Sequence, residues 1–259
     1  MLWPISIAPD TNMNRAPITT MILNSIIVEY DIRQANVSLL EYFDLLPKKS
    51  IDRIRAMPPD KRKVTVGLLE QRNKELAKRL EEGFDEIMLR FISENHLDID
   101  LDILSIKKDA AFVISKKPSI TKFGPIEFRP KNQYHSFLKV NNFEFYIGDN
   151  YIDVKGLQKQ ANLHSDGILH LIQDVVTTAI EANGDKGIIN KYLADLVISY
   201  KKKELDLEYY REFNAQSQFN VIIDGERYMF SEISDTDIPD LDISYNYINI
   251  ILPLVRLFV

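Results

Sequence analysis

The chain has 259 residues, of which 45% are hydrophobic and 27% charged, and its formal net charge is -6. This length is enough for one large domain or two modest ones, and the apolar fraction is enough for a hydrophobic core. The sequence has no cysteine, which excludes disulfides and thiolate metal sites and favours a reducing cytoplasm. No apolar run reaches the roughly 20 residues that span a bilayer, so we expect no membrane contact. The acidic balance does not favour nucleic-acid binding, although a local basic strip can bind phosphates on an acidic protein.

The first half of the chain predicts one buried strand followed by helices. No clear element precedes Met21, so residues 1–20 are predicted to be a poorly ordered leader. Residues 21–30 are apolar and β-branched, which is typical of a buried strand, and this strand ends at Asp31. A short helix is predicted for residues 38–46. One long helix is then predicted from Pro59 to about Ser93, because its apolar residues keep helical spacing.

The pattern then changes to the period of two that is typical of strands. Residues 103–106 and 111–114 form apolar arms around Lys107, Lys108 and Asp109, which predicts a β-hairpin with a charged tip. More strands are predicted between residues 126 and 154, with a turn at residues 141–142. After Gly156 the pattern becomes helical, apart from a predicted hairpin at residues 219–230. We therefore place a domain boundary near Gly156, between residues 21–156 and residues 157–259.

Two aspartates are predicted to meet where the first strand and the hairpin tip come together. Asp31 ends the strand and Asp109 lies at the tip, and neighbouring strands are only about 4.8 Å apart. Phosphoryl transfer by two metal ions needs carboxylates that converge in this way, and Mg²⁺ prefers such oxygen ligands. Glu29 points to the same face as Asp31 and is a candidate third ligand. An Asp at a strand end can also be a turn or cap residue, so the pattern alone leaves both readings open.

The residues around these aspartates resemble motifs of a known family. The sequence reads YDIRQANVSLL around Asp31 and SIKKDAAFVI around Asp109, followed by FGPIEFRPKNQYHSFLKVNNFEFYIG and DNYIDVKGL. In this order the segments resemble the palm of family B DNA polymerases. The first resembles the motif Asp-x-x-Ser-Leu-Tyr-Pro-Ser, and the second resembles the hairpin Tyr-Gly-Asp-Thr-Asp-Ser. The later segments resemble a strand ending in Tyr-x-Gly and a Lys-Gly step into the thumb. The resemblance covers about residues 21–180.

The resemblance implies an α+β fold and a set of site residues. It implies a polymerase-like palm, an antiparallel sheet with helices on one face, followed by a helical thumb-like domain, with the fingers and exonuclease missing. Asp31 and Asp109 would be the catalytic pair that holds two Mg²⁺ ions, supported by Glu29. Lys139, Tyr146 and Lys155 would line the primer side. The implied partners are a DNA primer-template, a nucleoside triphosphate and a replication protein.

Several residues depart from the family pattern. Lys107 replaces the first Asp of the hairpin motif, Asn36 replaces the Tyr that contacts the incoming sugar, and Glu144-Phe145 replaces a Lys-Arg pair. The segment DKRKVTVG (residues 60–67) offers the basic candidates for a triphosphate, and it is equally typical of a solvated helix start. Residues 116–139 interleave Lys and Arg with aromatics, which fits either a nucleic-acid strip or a sheet with a solvated basic face.

Three functions follow as hypotheses. The first is a DNA polymerase-like nucleotidyltransferase that uses two-metal phosphoryl transfer. The second is a non-catalytic, palm-derived protein that binds nucleic acid or a replication partner. The third is a metal-dependent nuclease that uses the same carboxylates. A compact replication-type protein of this kind suggests a viral origin, and therefore a place in the host cytoplasm.

Overall fold

The fold was analysed in a computed structural model that describes residues 14–140, 143–155, 166–210, 219–229 and 232–242. Its residues fall into two compact units, Met1–Ile18 with Ile26–Gln133, and Thr19–Ser25 with Tyr134–Val259. Both units combine helices with antiparallel sheets, so the predicted α+β fold is confirmed. No helix in the described ranges is long and apolar enough to cross a membrane.

The strands and helices follow one another in groups along the chain. In chain order they are β1 (Met21–Ile22), β2 (Ile27–Ile32), α1 (Ala35–Tyr42), α2 (Lys48–Arg55), α3 (Pro59–Arg72), α4 (Lys74–Glu94), β3 (Ile103–Lys107), β4 (Ala110–Ile114), β5 (Lys122–Phe123), β6 (Ile126–Tyr134), β7 (Ser136–Val140), β8 (Phe143–Ile147), β9 (Ile152–Lys155), α5 (Asp166–Glu181), α6 (Lys186–Lys202), β10 (Phe219–Ile223) and β11 (Glu226–Met229). Two 3₁₀ helices, Leu207–Tyr210 and Asp235–Asp240, follow α6 and β11.

The first unit is a five-stranded sheet with helices packed on one face. Its strand order is β3-β4-β2-β6-β5. Tyr30 of β2 lies 5.8 Å from Phe91 of α4 between ring centroids, and Phe91 stacks on Phe128 of β6 at 4.2 Å. Because side chains alternate along a strand, burying Tyr30 and Ile32 against the helices turns Glu29 and Asp31 to the opposite face. The hydrophobic core therefore sets the direction in which the acidic side chains of β2 point.

The predicted long helix is in fact two helices, and this part of the prediction is wrong. The backbone of Asn73 is extended, with φ -130° and ψ 96°, so it ends α3 and begins α4. The side chain of Asn73 accepts a hydrogen bond from the Leu76 amide at 3.1 Å, which is an N-cap. The apolar periodicity runs through this break, and so it could not reveal the break.

The second unit contains a four-stranded sheet in the order β1-β7-β8-β9. Leu138, Phe145, Val175 and Leu193 are buried in its core, between this sheet and helices α5 and α6. The hairpin β10-β11 was predicted from its turn dipeptide. Asp224 and Gly225 both have positive φ, 51° and 80°, as a two-residue type I′ turn requires.

Some predicted features lie wholly or partly outside the described residues. The turn at residues 141–142 and most of the leader are among them. In the described part of the leader, Arg15 exchanges backbone hydrogen bonds with Ile106 and forms an ion pair with Asp100 at 2.6 Å. The chain divides after Gln133, inside the range 21–156 assigned to one palm-like domain. The change from strands to helices follows Lys155, as the sequence indicates. The assignment of palm-like and thumb-like domains stays a prediction.

The base of the β3-β4 hairpin is closed by Asp102, which gives a stability prediction. One carboxylate oxygen of Asp102 accepts hydrogen bonds from Lys116 Nζ and from the Asp98 amide, both at 2.6 Å. The Lys116 bond and the Asp98 bond lower the pKa of Asp102. Asp102→Ala is expected to cost about 2 kcal/mol of unfolding free energy in urea at pH 7, since it removes two hydrogen bonds to a buried, charged carboxylate. Asp52→Ala, at an exposed position of α2, is the control and is expected to cost under about 0.5 kcal/mol.

The hydrogen bond between Lys116 and Asp102 also predicts how the stability of the protein depends on pH. Because the folded pKa of Asp102 lies below the unfolded value of about 3.9, its contribution is complete above that value and is lost as pH falls through the lowered pKa. The stability difference between wild type and Asp102→Ala should therefore be constant from pH 7 to about pH 5 and shrink below about pH 4. A difference that grows on acidification would contradict this assignment.

Candidate functional site

The end of β2 and the tip of the β3-β4 hairpin meet at one cleft. In the antiparallel register, Asp31 lies opposite Ala110, the residue that follows Asp109. The Ile32 amide donates a hydrogen bond to the Asp109 carbonyl at 2.9 Å. Asp31 and Asp109 both line a cleft of about 640 Å³. The structure therefore brings together the two aspartates that the sequence paired.

The two carboxylates differ in their surroundings. The Asp31 side chain is 17% exposed, and Arg129 Nε lies 3.1 Å from its Oδ1 while Lys131 Nζ lies 3.8 Å from its Oδ2. Burial raises the pKa of Asp109, and the negative charge of Asp31 raises it further, against the opposing effect of its own backbone amide. A second carboxylate that raises the pKa of Asp109 in this way creates a place where a cation is favoured.

Basic side chains outnumber acidic ones on the walls of this cleft. Five cations and two carboxylates line it, the cations being Arg33, Arg62, Lys63, Arg129 and Lys131. A concave surface with an excess of one sign of charge focuses the electrostatic potential and concentrates oppositely charged ligands. The cleft is therefore suited to a ligand that carries several negative charges.

Two helices begin at the cleft. The first turn of α1, residues 35–37, lines it, and the backbone amides of a first helical turn have no partner inside the helix. Pro59, Arg62, Lys63 and Val66 of α3 line the cleft as well. Their spacing places them on one helical face, which is anchored by Val66 at 1% exposure. The first turn of α1 and the basic face of α3 both favour an anionic ligand.

The predicted third ligand, Glu29, does not line the cleft. Its carboxylate is 4% exposed, with Lys131 Nζ at 3.1 Å from one oxygen and Asn132 Nδ2 at 2.7 Å from the other. A buried charge needs such partners. The geometry thus gives Glu29 a role in holding Lys131 beside Asp31, and its role as a metal ligand stays a prediction.

The three residues predicted to contact the primer lie in the second unit. In the sheet register Lys139 is opposite Glu144, and Glu144 is opposite Lys155. Residues directly opposite each other share a face of the sheet. Tyr146 is on this face too, but it is fully buried and donates a hydrogen bond to Glu144 at 3.0 Å. The face alternates positive and negative charge, and the predicted contacts to DNA stay predictions.

The cations beside Asp31 were not assigned to the site from the sequence. Arg129 and Lys131 alternate along β6 with buried Phe128, a pattern that also fits a solvated face. Arg33 precedes α1, and its amide bonds the Glu127 carbonyl, which joins β2 to β6. Assigning these cations to the site requires knowing that β6 lies beside β2, and the local sequence pattern does not indicate this strand order. Nζ of Lys108, the residue before Asp109 at the hairpin tip, lies 4.8 Å from the centroid of the Phe84 ring.

Carboxylate and backbone oxygens are the potential metal ligands at the cleft. Within the described ranges, no group of three or more His, Asp or Glu side chains is arranged to hold a metal ion. Asp31 and Asp109 therefore remain a two-carboxylate site. Such a pair suits Mg²⁺, which is bound in many nucleotide sites by one or two carboxylates together with substrate phosphates and water.

The fold is similar to that of a solved polymerase. The structure of the family B DNA polymerase from the hyperthermophilic archaeon Pyrobaculum calidifontis superposes with a TM-score of 0.50 at 11% sequence identity. The likeness covers 94% of this chain and 46% of that polymerase, so the chain spans about half the length of the polymerase. At this identity the comparison concerns the fold alone.

Sequence comparisons give a family. A search of curated proteins found no match. The profile of a phage protein family, described as Bacteriophage PBS1 gene 130 protein, matches residues 10–259, nearly the whole sequence. The chain therefore belongs to the Bacteriophage PBS1 gene 130 protein family.

Proposed function

We propose that this protein is a nucleotidyltransferase of the DNA polymerase type, which adds nucleotides to a nucleic-acid primer at the cleft between β2, the β3-β4 hairpin and α3. The observation that carries this proposal is the pairing of Asp31 and Asp109 at a cleft that five cations also line. Acids without the cations would favour a simple metal site, and cations without the acids would favour simple anion binding. The combination suits a metal-bound polyphosphate.

The residues at the cleft fit magnesium. Asp31 and Asp109 supply hard oxygen ligands. Burial raises the pKa of Asp109, the negative charge of Asp31 raises it further, and a bound cation would relieve that repulsion. We propose that these two aspartates hold Mg²⁺ ions, two in the active complex. Bound there, the ions would neutralise charge on the attacking and leaving oxygens of phosphoryl transfer.

The basic walls fit the phosphates of a nucleoside triphosphate. Arg62 and Lys63 lie in the first two turns of α3, and the first turn of α1 offers backbone amides. In the proposed reaction the primer 3′-oxygen forms a bond to the α-phosphorus, and the bond from that phosphorus to the bridging oxygen breaks. Pyrophosphate leaves, and the hydroxyl proton passes to water. Arg62 and Lys63 would bind and orient the triphosphate.

The test is extension of a labelled primer-template with Mg²⁺ and all four deoxynucleoside triphosphates. The proposal expects products longer than the primer with wild-type protein and loss of these products on chelation of the metal. Shortened primers would support the nuclease hypothesis instead. A protein that shifts the primer-template in a gel but leaves it unchanged in length at every metal concentration would contradict the proposed transfer.

A second candidate function is nucleic-acid binding without catalysis. The observation in its favour is the pair of cations on Asp31, since Arg129 and Lys131 already neutralise the carboxylate that catalysis needs. In that case the cleft would bind phosphate groups through its cations alone. Binding would then be independent of Mg²⁺ and would be unchanged or strengthened in Asp31→Asn, whereas the catalytic proposal expects metal-dependent triphosphate binding that Asp31→Asn abolishes.

The lining of the cleft also predicts how the sugar is recognised. Asn36 and Gln34 line it, and no aromatic side chain is among its described lining residues. An amide can donate to and accept from a ribose hydroxyl, whereas an aromatic ring there would exclude one. We therefore expect ATP and dATP to compete within about threefold of each other for the Mg²⁺-loaded protein. Asn36→Tyr should weaken ATP binding by about tenfold more than dATP binding, and equal losses would contradict the assignment.

A further inference from the structure

Two basic side chains of the cleft already pair with Asp31, and they affect how a metal ion and a nucleotide would bind there. Arg129 Nε is 3.1 Å from Asp31 Oδ1, and Lys131 Nζ is 3.8 Å from Asp31 Oδ2. Both oxygens of the carboxylate therefore face a cation. A divalent ion that approaches Asp31 meets two positive charges and must compete with them.

The two cations are held differently. Lys131 is tied to the buried carboxylate of Glu29 at 3.1 Å, and Asn132 holds the other oxygen of Glu29 at 2.7 Å. Among the described ion pairs, Arg129 has one partner, Asp31, and its side chain is 55% exposed. Lys131 is thus fixed by the fold, whereas Arg129 can leave Asp31 without leaving a buried charge unpaired.

Arg129 also has an alternative partner in the proposed complex. It lines the same cleft as Arg62 and Lys63, where the phosphates of the substrate are proposed to lie. A guanidinium binds phosphate as readily as carboxylate, through two parallel hydrogen bonds. Transfer of Arg129 from Asp31 to a phosphate would release the carboxylate for the metal and add a contact to the nucleotide in one step.

We propose that Arg129 is a positioning residue that couples metal binding to nucleotide binding: it occupies Asp31 in the ligand-free protein and moves to the phosphates when the metal-nucleotide complex enters. The inference rests on the proposed function. Divalent metal alone then binds weakly, and nucleotide strengthens metal binding. By linkage, metal strengthens nucleotide binding by the same factor. The cleft would in this way discriminate against free metal ions and against metal-free nucleotide.

The experiment measures Mn²⁺ binding from the electron paramagnetic resonance signal of the free ion, without any turnover. Wild type is compared with Arg129→Gln, first with Mn²⁺ alone and then with a non-hydrolysable deoxynucleoside triphosphate analogue present. Arg129→Gln is expected to bind Mn²⁺ alone about tenfold more tightly than wild type. The analogue should strengthen Mn²⁺ binding about tenfold in wild type and less than threefold in the variant.

The control separates this coupling from a general loss of positive charge. Lys61→Gln removes one cation from α3 at a position that does not line the cleft, and no described ion pair joins Lys61 to Asp31. It is expected to change Mn²⁺ affinity by less than threefold. Arg129→Met, which keeps the aliphatic stem, gives an independent second measurement, and circular dichroism establishes that each variant is folded.

The outcomes distinguish the two proposals. If Mn²⁺ binds in a manner that Asp31→Asn abolishes, but Arg129→Gln and Lys61→Gln have equal effects, the coupling is overturned and the proposed metal site stands. Weaker Mn²⁺ binding in Arg129→Gln and Arg129→Met would overturn the coupling as well. If no variant shows binding that depends on Asp31, the proposed metal-dependent function and the coupling are both overturned.

Discussion

Asp31→Asn and Asp109→Asn are each expected to lower Mg²⁺-dependent nucleotide addition by about a thousandfold or more. Removal of one charged ligand deprives the reaction of several kcal/mol of charge stabilisation in the transition state, and each 1.36 kcal/mol corresponds to about tenfold in rate. Both residues line the cleft, and asparagine preserves their shape. The measurement is single-nucleotide extension of a labelled primer under single-turnover conditions.

The same substitutions separate a functional role from a structural one. The raised pKa of Asp109 means that the fold disfavours its ionised form. At neutral pH, above the unfolded value, ionised Asp109 therefore lowers stability, and Asp109→Asn should melt at the wild-type temperature or above it. Asp52→Asn, on the exposed face of α2, should retain the wild-type rate within twofold. A variant that loses both activity and stability would indicate that Asp109 is structural.

The double substitution Arg62→Gln, Lys63→Gln is expected to weaken binding of a Mg²⁺-bound nucleoside triphosphate by about a hundredfold. Each cation on the cleft face of α3 is assigned a phosphate contact, and a charge-assisted hydrogen bond contributes about 1.5–3 kcal/mol. Two such losses amount to a hundredfold at the lower end of that range. The measurement is isothermal titration calorimetry with a non-hydrolysable analogue at physiological ionic strength, where exposed charges act only at short range.

The chain offers a matched control for this experiment within the same helical turn. Lys61 precedes Arg62 but does not line the cleft. Lys61→Gln removes the same charge from the same helix and is expected to change affinity by less than twofold. If Lys61→Gln weakened binding as much as the substitutions at Arg62 and Lys63, the effect would be general charge, and the assigned phosphate contacts would be wrong.

The two elements that carry Asp31 and Asp109 could be predicted from the sequence because local patterns determine them. A run of β-branched residues ends at Asp31, and a two-armed apolar hairpin has Asp109 at its tip. The strand order that joins them was implied by the resemblance to polymerase motifs. The turn at Asp224-Gly225 was predictable for a similar reason, since two residues with positive φ define it.

The rest of the candidate site depends on contacts between distant parts of the chain. Arg129 follows Asp31 by 98 residues. Its guanidinium reaches the Asp31 carboxylate only because β6 lies beside β2. The basic residues of α3 could not be distinguished from a solvated helix start until the fold placed one face of the helix on the cleft. Glu29 has the same strand alternation as Asp31, yet Lys131 and Asn132 occupy its oxygens. Periodicity predicts a face of a strand but not the partner that covers it.

The most direct test of the account is anomalous X-ray diffraction from crystals grown with Mn²⁺ and a non-hydrolysable deoxynucleoside triphosphate. We expect Mn²⁺ density at the carboxylates of Asp31 and Asp109, with the phosphates against Arg62 and Lys63 and with Arg129 moved away from Asp31. A cleft that binds the nucleotide without a peak at these two aspartates, and with Arg129 still paired to Asp31, would contradict the proposed metal-dependent transfer.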